Sequence, residues 1–149
     1  LHVSIIADVY LLVNSLIPRS TTPVAPADIS AWCGDLENWP RSWMVWEIDL
    51  PPGESLVGRF QPFIEHLASS GLSRQTVRRH GDNLWLLGGE IIRQLHEDPS
   101  LRKVRVDRLL TQVVHEDSGP LIHNGSEQEQ RSFDSTCRQL HRFLTHPRP

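Results

Sequence analysis

The sequence predicts a mainly α protein, a small bundle of about four helices with an irregular tryptophan-rich N-terminal arm. Three observations carry that reading. Apolar residues recur at helical spacing in several stretches after residue 53, capping and stop signals punctuate those stretches, and only one short segment alternates with the two-residue period of a strand. The 149 residues are about one domain's worth, enough to bury a core without disulfides or metals.

Residues 1–52 read as an N-terminal helix, a linker and the tryptophan-rich arm, and residues 53–149 as the helical domain. The opening stretch, LHVSIIADVYLLVNSLI, is apolar over 17 residues but has no basic start, carries Asp8 in mid-run and is short for a membrane span. A core or docking helix in a cytoplasmic protein without membrane attachment is the expectation. PRSTTPVAPADIS follows with three prolines in thirteen residues and reads as linker. The arm, AWCGDLENWPRSWMVWEIDLPPG, holds four of the five tryptophans. In it Met44, Trp46, Ile48 and Leu50 alternate with Glu47 and Asp49, which predicts a short strand or extended arm ending at Pro51-Pro52.

From Gly53 the period turns helical. Leu56, Phe60, Phe63, Ile64 and Leu67 fall on one face, with Pro62 placed to kink or restart the helix. Gly71 suits a left-handed stop, and Ser73 suits the N-cap of a second helix whose core face is Val77, Leu84, Leu87, Ile91 and Leu95. Gly88-Gly89 inside it reads as a site of close packing or a kink. Pro99 ends this helix, a basic connection leads to a short third helix with Leu109, Leu110 and Val113, and HEDSGPLIHNG is a loop. The last helix opens on a capping box, Ser126 to Glu129, and carries Phe133, Cys137, Leu140 and Leu144 as its stripe.

Charge and motif exclude more functions than they indicate. The net charge of -3 hides an asymmetry: residues 1–71 carry 3 basic and 8 acidic side chains, and the remainder 12 and 10. A basic second half admits a polyanion partner while falling short of a strongly basic nucleic-acid binder. Cys33 and Cys137 lie 104 residues apart, without zinc spacing, and read as reduced thiols. His-Glu-Asp occurs at 96–98 and at 115–117, but consecutive residues diverge on a helix, so no metal site is expected. No nucleophile elbow, Walker loop or dinucleotide fingerprint occurs, so neither a cofactor nor a catalytic role is expected.

Two readings remain open for the binding candidates. Arg74, Gln75, Arg78 and Arg79 open the second helix, where backbone N–H groups and arginines together suit phosphate, or else form a solvated face. Arg102, Lys103, Arg105 and Arg108 form a second basic cluster that would extend the same surface. Trp32, Trp39, Trp43 and Trp46 are either a recognition platform or packing for the chain's own core.

FQPFIEHLASSGLSRQTVRRHGDNLWLLG resembles the N-terminal core-binding, SAM-like domain of tyrosine recombinases and phage integrases, through Phe60, Phe63, Leu67, Gly71, Leu72, Ser73, Thr76, His80 and Leu84. The resemblance implies a helical domain that contacts duplex DNA with Arg74, Gln75, Arg78 and Arg79. It does not extend to catalysis. The only tyrosine, Tyr10, precedes the matched stretch, no His-x-x-Arg occurs, and recombinase chemistry needs a tyrosine nucleophile and an arginine clamp. The expectation is a non-catalytic DNA-binding module without a catalytic domain, related to a mobile element. The alternative is a helical protein-interaction or oligomerisation module that meets a partner or a second copy through its tryptophan-rich arm.

Overall fold

The computed structural model describes residue 29, residues 32–122 and residues 125–146. The apolar stretch 1–17 and nearly all of the linker lie outside the described residues. Among those described there are five α-helices and no strand: α1 (Trp39–Trp43), α2 (Leu50–Ala68), α3 (Arg74–Glu97), α4 (Val106–Val113) and α5 (Glu127–Thr145). Short 3-10 turns precede α1, α2 and α4, at Leu36–Asn38, Glu47–Asp49 and Pro99–Lys103. No described helix is long and apolar enough to cross a membrane.

Local chemistry sets the helix limits. Gly71 takes a φ of 82°, the left-handed geometry that ends α2 without a side-chain clash. Ser73 then caps α3, its Oγ accepting from the Thr76 N–H at 3.1 Å. Ser126 and Glu129 form the reciprocal capping box of α5. Pro62 does not restart α2, which runs through it as one helix. Its missing N–H orphans the carbonyl of Gly58, four residues back, and that residue is exposed rather than sealed in the core.

α3 is the central element. It packs on α2, α4 and α5, its Val77, Leu84 and Ile91 buried in one core with Leu109 and Leu110 of α4. Phe60, Phe63, Leu87, Leu95, Phe133 and Leu140 fill the space between. The predicted stripes of all four helices are thus the core stripes.

The arm departs from its predicted form. Residues 44–50 are a turn rather than a strand, and their polarity is inverted: Trp46 and Ile48 are 65% and 59% exposed, while Asp49 is fully buried. The prolines at 51 and 52 occupy the first turn of α2, where a missing N–H costs nothing, so they begin a helix instead of ending a strand. A boundary at residue 52 therefore falls inside α2. The arm also belongs to the core, because Trp39 and Trp43 are buried and the Trp43 ring lies directly over Gly88. Trp43 is fixed there by donating from Nε1 to the Trp85 carbonyl at 3.0 Å.

Candidate nucleic-acid interface

The first turns of α3 carry cations where a helix least favours them. The peptide dipoles give a helix N-terminus a positive partial charge, and α4 and α5 answer it with Asp107 and with Glu127 and Glu129. α3 has no acid in its first turn and has Arg74 there instead, with Arg78 and Arg79 close behind. Such an arrangement loses stability in the free protein and recovers it against a bound anion.

These side chains occupy three different settings. The Arg74 guanidinium sits 5.5 Å from the Trp32 ring centroid, a cation–π contact that holds it over the arm. Gln75 and Arg78 are exposed. Arg79 leans toward α5, donating from Nη1 to Ser132 Oγ at 2.8 Å. It also approaches His80, whose Nε2 lies 3.5 Å from Arg79 Nη2. With Nε2 accepting, the other ring nitrogen bears the proton, and Nδ1 donates to Thr136 Oγ1 at 2.7 Å. Asn83 Nδ2 donates to the same hydroxyl at 2.8 Å. Burial, aided by the Arg79 charge, lowers His80 to about 4, so the imidazole is neutral near pH 7 and serves as a structural link between α3 and α5.

That seam also fixes which arginines of α5 lie at the same end of the bundle as the start of α3. His80 meets Thr136 and Asn83 meets Ser132, so α5 runs antiparallel to α3 and its C-terminal half lies beside the start of α3. Phe143 contacts Phe63 and His66 of α2, with ring centroids 5.4 Å apart in each pair, which fixes the same end of the bundle. Arg138 and Arg142, both exposed, therefore stand at the level of Arg78 and Arg74. Their separation of some sixty residues from the α3 arginines hid them from a reading by local clusters.

The acids that interrupt the basic pattern in the sequence are mostly elsewhere. Glu90 is bridged by Arg93 at 2.7 Å, Asp98 accepts from the Ser100 N–H, and Asp107 is bridged by Arg59. Asp82, exposed one turn after Arg78, is the α3 acid that stays near the site.

The second basic cluster does not extend this surface. It begins after α3 ends, and from Arg79 to Glu97 the helix rises roughly 27 Å. Arg102 is moreover turned inward, donating from Nη2 to the buried Asp49 at 2.8 Å. Lys103, Arg105 and Arg108 stay exposed at that far end.

His96 binds Asp49 at 2.8 Å, and His115 takes part in a turn through its backbone N–H to Ser118. Among the described residues no group of three His, Cys, Asp or Glu side chains is placed to hold a metal. No family model matches the chain, and no curated protein or solved structure does.

Proposed function

We propose that the protein is a non-catalytic helical DNA-binding module, similar in kind to the core-binding domain of tyrosine recombinases, and that it meets the phosphate backbone with the end of the bundle where α3 begins. The observation that carries this reading is the cluster of Arg74, Arg78 and Arg79 at a helix start that has no acid of its own, with the exposed Arg138 and Arg142 of α5 at the same level of the bundle. Arginines on two helices at one end can follow a phosphate ladder that a single helix turn could not. Gln75, exposed beside them, is placed to add a neutral hydrogen bond. Arg74 contributes through its position over Trp32, which leaves its outer edge available.

Fluorescence anisotropy with a mixed-sequence duplex tests the reading. Four phosphate contacts make affinity fall on the order of 100-fold between about 50 and 200 mM salt. Arg78→Glu with Arg79→Glu is expected to abolish binding while circular dichroism keeps the helical signal. Salt-independent binding, or affinity unchanged in that variant, would remove this surface from consideration.

A further inference from the structure

Lys103, Arg105 and Arg108 are left without a role by the surface at the start of α3, and their surroundings differ from it in kind. Beside them, Ile48, Pro51, Leu101, Val104 and Val106 line a groove of about 400 Å³ between the turn before α2, the Pro99–Lys103 turn and α4. Arg105 borders that groove and also a shallower depression of about 610 Å³, which it shares with Lys103 and Arg108. Asp107, the acid lining this depression, is bridged by Arg59 at 2.9 Å and approached by Arg105 at 3.7 Å, so its one charge is met by Arg59 and Arg105 while Lys103 and Arg108 keep the depression positive. Ile48, which lines the groove, stands exposed together with Val45 and Trp46, its neighbours within four residues of chain. Single exposed hydrophobics are ordinary, but a run of them including tryptophan beside an apolar groove marks an interaction surface.

Both walls of the groove are held in place before anything binds. Asp49 accepts from the Val45 and Trp46 N–H groups at 2.9 and 3.0 Å, fixing the turn that presents Trp46 and Ile48. Arg102 reaches across from the opposite wall to Asp49 at 2.8 Å, and its Nη1 lies 3.4 Å from the Ile48 carbonyl. His96, from the end of α3, completes the clamp. A surface ordered in advance loses little entropy on binding.

We propose that this groove and its cationic border bind an acidic peptide segment of a partner protein. Its apolar side chains seat against Trp46, Ile48, Leu101 and Val106, and its carboxylates face Lys103, Arg105 and Arg108. Charge complementarity selects the acid, and the apolar floor selects a peptide over duplex DNA, whose backbone offers nothing to fill it. The surface lies at the opposite end of α3 from the DNA-binding end and is independent of that reading.

Selection of a random peptide display library on the full chain tests the proposal. Enriched peptides are expected to combine Asp or Glu with Leu, Ile, Phe or Trp. Two exposed double variants, Arg105→Glu with Arg108→Glu and Trp46→Ala with Ile48→Ser, are each expected to weaken the enriched peptides about tenfold or more. An absence of enrichment, peptides without net negative charge, or peptides indifferent to both variants overturns it. So does a chain that sediments as a dimer and is made monomeric by the Trp46 and Ile48 changes, which would assign the groove to a second copy. A loss of duplex affinity in the Arg105 and Arg108 variant equal to that of the Arg78 and Arg79 variant would instead assign the cluster to DNA.

Discussion

His80 and Asp49 are buried polar residues whose protonation is linked to folding with the same sign but in different pH windows. Burial, then the Arg79 charge, lowers His80 from 6.5 to about 4, so the unfolded chain takes up a proton that the folded chain refuses. The stability involved is complete above pH 6.5 and is lost as pH falls from there through 4, about 3 kcal/mol in all. For Asp49, burial alone would raise the carboxyl, but the N–H groups of Trp46 and Val45 with Arg102 and His96 outweigh it and hold the group well below its usual value of 3.8. Its contribution is present above that value and is lost only below it. Urea unfolding across both windows is expected to show two successive losses on acidification, and flat stability from pH 6.5 to 4 would mean that His80 titrates normally. The thiols offer a separate check. Burial raises Cys33 to about 11, with Asp82 and Asp35 adding and Arg78 opposing, and raises Cys137 to about 12, with Asp134 adding. Since the thiolate is the reactive form, neither is expected to react with an aromatic disulfide reagent at about pH 8 until urea unfolds the chain.

Packing of the elements turns on how closely α1 approaches α3. A methyl group at Gly88 would lie 2.2 Å from Cζ2 of Trp43, and the ring cannot retreat without losing its bond to the Trp85 carbonyl. Gly88→Ala is therefore expected to destabilise by about 1–3 kcal/mol, despite the roughly 1 kcal/mol gain in helix propensity. Gly58 of α2 is the control, because nothing lies within 4 Å of a methyl group there. Gly58→Ala is expected to stabilise by up to about 1 kcal/mol, and thermal unfolding of the two variants should shift in opposite directions. Gly88-Gly89 was legible as a place of close approach, because two glycines inside a helix otherwise only cost stability. Its occupant was not, since nothing local distinguishes Trp43 from Trp46. The arm was misread for a related reason. Alternation over 44–50 has the period of a strand, but Asp49 could be buried only because Arg102 and His96, some fifty residues on, supply its partners.

Over the whole molecule, charge is sorted along the length of α3. Arginines of α3 stand at its start with the exposed Arg138 and Arg142 of α5 at the same level, a cationic border with an apolar groove forms beyond its end, and Arg93 pairs with Glu90 and Glu97 between them. Two ends that differ in polarity suit two partners of different chemistry. Arg142→Glu is expected to weaken duplex binding about tenfold or more and to reduce its salt dependence by roughly one phosphate contact. Anisotropy titrations at several salt concentrations measure both, and an unchanged slope would take α5 out of the contact surface.

Periodicity and caps were enough to determine the mainly helical class, the four longer helices, their buried stripes, the stop at Gly71 and the starts at Ser73 and Ser126. Those properties depend on residues within one or two turns of each other, where side-chain direction follows from spacing alone. Tertiary structure alone decided that Asp49 is buried and Trp46 exposed, that Arg138 and Arg142 lie at the same end of the bundle as Arg78 and Arg79, and that Arg102 turns inward to clamp a turn. The Asp49 clamp is a meeting of side chains about fifty residues apart, and the level of Arg138 and Arg142 follows from α3–α5 contacts over a similar separation. Local spacing shows that such groups are polar or charged, while the packing of α2, α3 and α5 determines which partner each one reaches.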